Sequence, residues 1–144
     1  MSIERTISNK VAKALLSYRM IEPNDRVLAA VSGGKDSTSM LYHLLSKQRA
    51  FTVPFTVEAL HIHNEYCQCT DPLWEMMSEW GARVHHKTIS INKRLLPGKH
   101  MNCYWCSTQR RTELINFAEA EGFTRIALGH HMDDIVETFF MNML

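Results

Sequence analysis

Short apolar runs alternate with longer amphipathic segments along this chain. The short runs predict buried strands at residues 27–31, 55–62, 83–91 and 125–128. Apolar residues at helical spacing predict helices at residues 2–20, 37–48, 71–80 and 103–121, and in a last segment ending at residue 144. Connections of this length between strands require parallel pairing. The pattern therefore predicts an α/β fold, in which a Rossmann-like parallel sheet carries helices on both faces.

The turn after the first predicted strand carries the strongest chemical signal. Residues 32–37 read SGGKDS. Adjacent glycines let the backbone approach a ligand closely, and the first turn of the following helix attracts anions through its free N–H groups and its dipole. Lys35 adds a positive charge, so a phosphate is the expected ligand, and Asp36 beside a phosphate indicates a bridging Mg²⁺. A plain Gly-Gly turn with a helix cap is the alternative interpretation.

A second polar motif, GHHMDD, follows the fourth predicted strand at residues 129–134. In a doubly wound sheet it should lie at the same carboxyl edge as the SGGKDS turn. The aspartates Asp133 and Asp134, with Glu137 one turn later, have the oxygen ligands for Mg²⁺. Capping of the last helix by one aspartate is the alternative.

Histidines and cysteines supply further candidate chemistry. His61 and His63 end the second strand, where a ribose or adenine would bind. We expect them on opposite faces, so that at most one points at the ligand, and a core or surface role is the alternative for each. Cys103 and Cys106 form a CxxC pair at a helix start, which favours thiolates. Two cysteines cannot complete a tetrahedral metal site or hold an iron–sulfur cubane alone, so a redox pair and half a zinc site remain open.

Composition restricts the remaining possibilities. The chain has 144 residues, 45% of them hydrophobic, which allows one domain with a proper core: residues 25–144, preceded by an N-terminal helix within residues 1–24. Its four cysteines favour ligand or redox roles in a reducing compartment. It has no apolar run of membrane length and no signal-peptide pattern, so we expect a cytoplasmic protein without membrane contacts. A net charge of +1 gives no general nucleic-acid signal. An RNA contact would need a local patch, for which the candidates are Lys93, Arg94, Lys99, Arg110 and Arg111.

The motifs together resemble one superfamily. SGGKDS is too short for the GxxxxGK(S/T) Walker loop and resembles the pyrophosphate-binding loop of the N-type ATP pyrophosphatases, or PP-loop proteins. GHHMDDIVET resembles their GHxxDDxxET stretch. PGKHMNC, the CxxC pair and the following Arg110-Arg111 resemble the tRNA 2-thiocytidine synthetase family. The resemblance covers nearly the whole chain but only the N-terminal half to two-thirds of the family domain. It implies an adenine nucleotide alpha hydrolase-like fold that is incomplete at its C-terminal end.

This resemblance implies ATP-dependent tRNA thiolation, in which the C2 carbonyl of a cytidine is adenylated and its oxygen replaced by sulfur. The implied cofactors are ATP, Mg²⁺ and a 4Fe-4S cluster held by three cysteines, and the implied partners are tRNA and a sulfur donor such as a cysteine desulfurase. The implied phosphate-binding residues are Ser32, Gly33, Gly34, Lys35 and Ser37. The remaining implied roles are Mg²⁺ binding by Asp36 and Asp134, nucleotide contacts by Gly129 and His130, and cluster binding by Cys103 and Cys106. His61 is a further candidate nucleotide contact because of its place at the end of the second strand.

The chain departs from this family in one respect. The family's third cysteine lies in a C-terminal half that these residues do not include, and Cys67 and Cys69 are candidate replacements. We therefore expect a fragment of a longer protein, or a chain that pairs with a second copy or a complementing chain. The alternative functions are a non-catalytic nucleotide-binding module, a metal or redox module, and a tRNA 2-thiouridine synthetase. The CxxC pair argues against a lysidine-type ligase, which needs no cluster.

Overall fold

The computed structural model describes residues 2–66, 71–100 and 102–129. The strands within these ranges are β1 (Asp25–Ala30), β2 (Phe55–His63), β3 (Val84–Thr88) and β4 (Arg125–Ala127). The helices are α1 (Ile3–Ser17), α2 (Lys35–Ala50), α3 (Asp71–Glu79) and α4 (Cys103–Glu121), with a 3₁₀ turn at Asn92–Arg94. The strands form one parallel sheet in the order β3-β2-β1-β4. The predicted α/β fold with parallel strands is confirmed.

Apolar residues alternate between two cores because successive side chains of a strand point to opposite faces. Val27 and Ala29 of β1 belong to a cluster with Leu41 of α2 and Met77 of α3. Leu28, between them, belongs to a second cluster with residues of α4. The sheet is thus covered by α1, α2 and α3 on one face and by α4 on the other, as predicted.

This arrangement places the expected ligand site. The chain runs from β1 outward through α2 to β2 and through α3 to β3, and it returns through α4 to β4 on the far side of β1. The strand order therefore reverses between the neighbouring strands β1 and β4. Crevices at such a reversal of strand order are where open α/β sheets bind ligands.

The third strand is shorter than the pattern predicted. A strand over residues 83–91 was expected, but β3 ends at Thr88. Ile89 and Ile91 are buried in the cluster under α4, and the Ile91 N–H donates to the Glu65 carboxylate at 3.0 Å instead of to a strand. The Ile89 N–H still donates to the His63 carbonyl of β2 at 2.9 Å, and pairing ends beyond it, where the Glu65 carboxylate accepts the Ile91 N–H.

The helix boundaries agree with the predicted pattern within a few residues. Helix α4 begins at Cys103 and ends at Glu121, as expected, because the left-handed Gly122 (φ 75°) closes it. Helix α2 begins at Lys35, two residues earlier than predicted. The predicted last helix lies outside the described residues. Among those described, no helix is long and apolar enough to cross a membrane.

Candidate functional site

The SGGKDS turn is held in shape by its own hydroxyl groups. Gly33 adopts φ 96°, a positive value that residues with a side chain rarely take. The Ser37 hydroxyl lies inside the turn, where it accepts from the Ser32 N–H at 3.2 Å and donates to the Gly34 carbonyl at 3.3 Å. The Ser32 hydroxyl accepts from the Gly34 N–H at 3.3 Å. Ser37 is buried, so it shapes the turn from within.

The start of α2 differs from the starts of the other long helices. The side chains of Ser2 and Asn102 cap α1 and α4 by accepting from backbone N–H groups. The N-cap of α2 is Gly34, which makes no side-chain cap hydrogen bond. Lys35 and Asp36 follow it, with Lys35 Nζ 2.9 Å from Asp36 Oδ1 and both side chains well exposed. A helix start without a side-chain cap and with an adjacent lysine suits an anion.

Gly129, the second residue after β4, lies directly against this turn. A Cβ atom built on Gly129 would lie 2.7 Å from Ser37 Cα and 2.8 Å from Ser37 N. Real Cβ atoms do not come so close to backbone atoms, so only glycine allows this approach. The structure thus brings Gly129 of the second motif onto the first motif. His130 and Asp134 lie outside the described residues.

His61 lies beneath the SGGKDS turn. It is 1% exposed, and its Nδ1–H donates to the Val31 carbonyl, one residue before the turn, at 2.6 Å. Its Nε2 has no hydrogen-bond partner among the described residues. Burial lowers the pKa of His61, so the imidazole is neutral at pH 7. In this position His61 supports the backbone that leads into the turn.

The expectation that His61 and His63 face opposite sides of the sheet was wrong. Their ring centroids are 4.2 Å apart, and both rings pack near Trp74 of α3. Residues two apart in a strand share a face, because the side-chain period of a strand is two. His63 Nε2 also hydrogen-bonds His86 Nδ1 of β3 at 2.9 Å. The carboxyl end of β2 therefore carries a small histidine and tryptophan cluster on the α3 face.

Buried neutral histidines make stability sensitive to acid. Burial lowers the pKa values of His43 and His61, so the unfolded chain takes up their protons first as the pH falls below about 6.5. Their contribution is complete above that pH and decreases as the pH falls toward the lower folded-state values. We expect the free energy of unfolding to decrease between pH 7.5 and 5.5 by up to about 1.4 kcal/mol per pH unit and histidine.

Urea unfolding at several pH values measures this decrease. His43→Leu should make this pH-dependent decrease smaller, because it removes one of these imidazoles. Leucine should be tolerated there, because His43 Nδ1 is buried without a hydrogen-bond partner among the described residues. His100→Gln changes an exposed histidine and should leave the decrease as in the wild type. An unchanged pH dependence in His43→Leu would contradict the assignment to His43.

The cysteine pair occupies the start of α4. Cys103 is exposed and Cys106 is buried, and Cys106 belongs to the apolar cluster that includes Ile62 at the carboxyl end of β2. The Asn102 side chain caps the helix by accepting from Trp105 N–H at 2.8 Å. The pair therefore lies at the same edge of the sheet as the SGGKDS turn, on the α4 face. The candidate third ligands Cys67 and Cys69 lie outside the described residues.

The structure separates the predicted RNA-contact residues. Arg94 is bound to the buried Glu113 of α4, so its guanidinium is already engaged within the fold, and Arg110 is half-buried. The side chains of Lys93, Lys99 and Arg111 are exposed. Sequence reasoning missed Glu113. Its spacing of seven residues from Cys106 was the available signal, because residues seven apart share a helix face.

The fold and the site together define a parallel α/β domain with a glycine turn and a helix start without a side-chain cap at a reversal of strand order. The model of the PP-loop domain family matches residues 3–144. The chain belongs to the PP-loop domain family, as the resemblance of its motifs indicated.

Individual relatives agree with this family. The chain is similar to the tRNA-cytidine(32) 2-sulfurtransferase of Stenotrophomonas maltophilia, with 38% identity over 98% of this chain and 47% of that protein. The enzyme of the same name from Vibrio campbellii is 39% identical over 98% of this chain and 49% of that protein. The chain thus spans about half the length of these curated relatives.

A solved structure has the same fold. The U34-tRNA thiolase NcsA from Methanococcus maripaludis, determined with its 4Fe-4S cluster, superposes with a TM-score of 0.69. The match covers 96% of this chain and 49% of that chain, at 23% identity. At 23% identity, this likeness shows a shared fold only.

Proposed function

We propose that this chain is the ATP-binding part of a tRNA sulfurtransferase. A cytidine C2 carbonyl oxygen attacks the α-phosphate of ATP, and pyrophosphate leaves with the electrons of the broken P–O bond. Sulfur from a donor then attacks C2, and the C–O bond breaks to release AMP. The SGGKDS turn and the CxxC pair begin at one edge of the sheet, which is the observation that carries this proposal. The names of the sulfurtransferase relatives support it.

The phosphate-binding role fits the turn. The proposed contacts to the β and γ phosphates come from the start of α2 and from Lys35, where negative charge on the leaving pyrophosphate would be stabilised. Asp36 is 46% exposed in the first turn of α2, which suits an oxygen ligand of Mg²⁺. Gly129 lies against the turn and is a proposed neighbour of the nucleotide. His61 supports the turn, and His130 and Asp134 remain proposed nucleotide and Mg²⁺ contacts.

The cysteine pair fits two ligands of an iron–sulfur cluster. Cys103 is exposed at the helix start, where a ligand can reach it, and Cys106 lies one turn further in against the apolar core. When bound, a 4Fe-4S cluster with an open iron would hold the sulfur that replaces oxygen. Cys67 and Cys69 and a cysteine of a complementing chain are the candidate third ligands. Lys93, Lys99 and Arg111 are proposed contacts to the tRNA backbone.

Nucleotide binding tests the first half of this proposal. Lys35→Ala should weaken binding of MgATP and of pyrophosphate by about 10- to 100-fold, because a charge-assisted hydrogen bond is lost. Lys13→Ala removes an exposed lysine from α1 and should bind as the wild type does. Titration calorimetry measures both. Binding of MgATP without any tRNA-dependent exchange of labelled pyrophosphate into ATP would indicate a nucleotide-binding module rather than an adenylating enzyme.

Anaerobic reconstitution with iron and sulfide tests the second half. We expect visible absorption and bound iron in the wild type, and loss of both in Cys103→Ser and Cys106→Ser, because each removes a ligand. Cys67→Ala/Cys69→Ala decides whether this chain supplies the third ligand. An iron-free wild type would mean that these residues are only the ATP-binding half, and a protein that stays iron-free with the missing half restored would overturn the cluster assignment.

A further inference from the structure

Helix α4 carries a carboxylate in its buried face. Its buried residues are Cys106, Glu113, Leu114 and Ala118, and Glu113 is 7% exposed. Glu113 lies seven residues after Cys106, so the two side chains share a helix face and are separated by about 10 Å along the axis. A buried charge is costly unless it is paired. The partners of Glu113 therefore determine where this helix can lie.

Two segments from outside α4 supply those partners. Lys87 Nζ of β3 lies 2.8 Å from Glu113 Oε2, and Arg94 of the 3₁₀ turn donates to Glu113 Oε1. Arg94 Nη1 also donates to Gln109 Oε1 at 3.3 Å, one helical turn before Glu113. Hydrogen bonds from Lys87 and then Arg94 hold the pKa of Glu113 below its ordinary value. The carboxylate is therefore charged at neutral pH and joins three segments at one point.

The apolar packing at the start of α4 comes from Cys106, which is buried, and from Trp105, which is partly buried against the same cluster. No residue between Cys106 and Glu113 is fully buried, and Leu114 and Ala118 lie beyond Glu113 toward the helix end. Apolar contacts are not directional, so they tolerate sliding and rotation of a helix. A carboxylate whose two oxygens bind cations from different segments restrains both the sliding and the rotation of the helix.

We propose that Glu113 is a positioning residue for the cysteine pair. Its paired carboxylate fixes the height and rotation of α4 on the sheet, so that Cys106 stays buried while Cys103 faces the carboxyl edge. The value of this placement for cluster binding rests on the proposed function, but the placement itself does not. Lys87 and Arg94 are 41% and 33% exposed, so both cations can turn to solvent when the carboxylate is removed, and α4 is then released.

Cysteine alkylation tests the placement in the metal-free protein. Iodoacetamide labelling, followed by mass spectrometry of the peptides that contain Cys103 and Cys106, gives a rate for each thiol. We expect Cys106 to react at least about 10-fold faster in Glu113→Gln and in Glu113→Leu, because α4 loses its restraint. Glu119→Gln makes the same chemical change at an exposed position of the same helix and should react as the wild type does.

Glu113→Leu separates positioning from stability. Lys87 and Arg94 are partly exposed and can return to water, so Glu113→Leu leaves no buried charge unpaired and keeps the site apolar. Leucine cannot hold either cation. Fast labelling of Cys106 in a Glu113→Leu protein that unfolds at the wild-type urea concentration supports the proposal. Slow labelling in that protein overturns it, and so does a rate increase in Glu113→Gln that is accounted for by its loss of unfolding free energy.

The reconstituted cluster gives an independent signature. If the wild type binds iron and sulfide, the proposal predicts altered visible circular dichroism of the cluster in Glu113→Gln and Glu113→Leu, and an unaltered spectrum in Glu119→Gln. Identical spectra in all four proteins would overturn the link between Glu113 and the cysteine ligands. If the wild type alone binds no cluster, the labelling rates of Cys106 in the metal-free protein still decide the role of Glu113.

Discussion

Replacing Gly129 with alanine should abolish most nucleotide binding and also lower stability. The added Cβ would lie 2.7 Å from Ser37 Cα and 2.8 Å from Ser37 N. These are backbone atoms of the first turn of α2, so the clash cannot be relieved by turning a side chain. Either the residues that follow β4 (128–129) or the start of α2 must move, and both border the proposed phosphate site. We expect MgATP to bind at least about 10-fold more weakly and unfolding to cost about 1–3 kcal/mol less.

Calorimetric titration with MgATP and urea unfolding measure the two effects of Gly129→Ala. Leu128→Ala is the matched control, since it changes the preceding residue, whose side chain is 42% exposed, and adds no atom near Ser37. It should bind MgATP as the wild type does. A Gly129→Ala protein with wild-type affinity and stability would show that the two motifs do not approach each other as closely as described.

Replacing Asp25 with asparagine should destabilise the fold by about 2–3 kcal/mol. Asp25 begins β1 and is 8% exposed. Its carboxylate accepts from the Thr124 hydroxyl at 2.9 Å, from Arg125 Nε at 3.0 Å and from the Glu22 N–H at 2.8 Å. Thr124 and Arg125 lead into β4, so these bonds hold the short outer strand that ends near Gly129. Asparagine has one acceptor oxygen and no charge, and leaves part of this set unpaired.

Glu22→Gln provides a matched control for Asp25→Asn. Glu22 also pairs with Arg125, at 3.7 Å, but its side chain is 65% exposed. An exposed pair of this kind contributes about 0–1 kcal/mol. We therefore expect urea unfolding to show a large effect for Asp25→Asn and a small one for Glu22→Gln. Equal effects would contradict the role of burial.

Acid should reduce the difference in the free energy of unfolding between Asp25→Asn and the wild type. Burial raises the pKa of Asp25, but hydrogen bonds from Glu22 N–H, Thr124 and Arg125 together hold it below its ordinary value. The contribution of the carboxylate is thus present above the unfolded-state pKa of about 3.9 and is lost as the pH falls through the lower folded-state value. Unfolding free energies of the two proteins should converge below pH 4.

Several features of this protein follow from local sequence. Strand and helix order, the turn between β1 and α2, and the ends of α4 depend on apolar spacing, on glycines and on capping residues within a few positions of each other. Chain topology then placed Gly129 and the first motif at one sheet edge, because parallel strands end together. The side of the sheet to which His61 and His63 point was also determined locally, by the strand period of two. The prediction that they point to opposite sides misapplied this period.

The sequence alone determined the order of the elements, the glycine turn and the family, because these depend on residues close together in the chain. The tertiary structure decided what depends on distant residues. Ile91 lies outside β3, where Glu65 accepts its N–H, Gly129 is required because Ser37 lies against it, and Arg94 binds Glu113. Such pairings arise from packing of segments far apart in the chain, for which neighbouring residues carry no periodic signal.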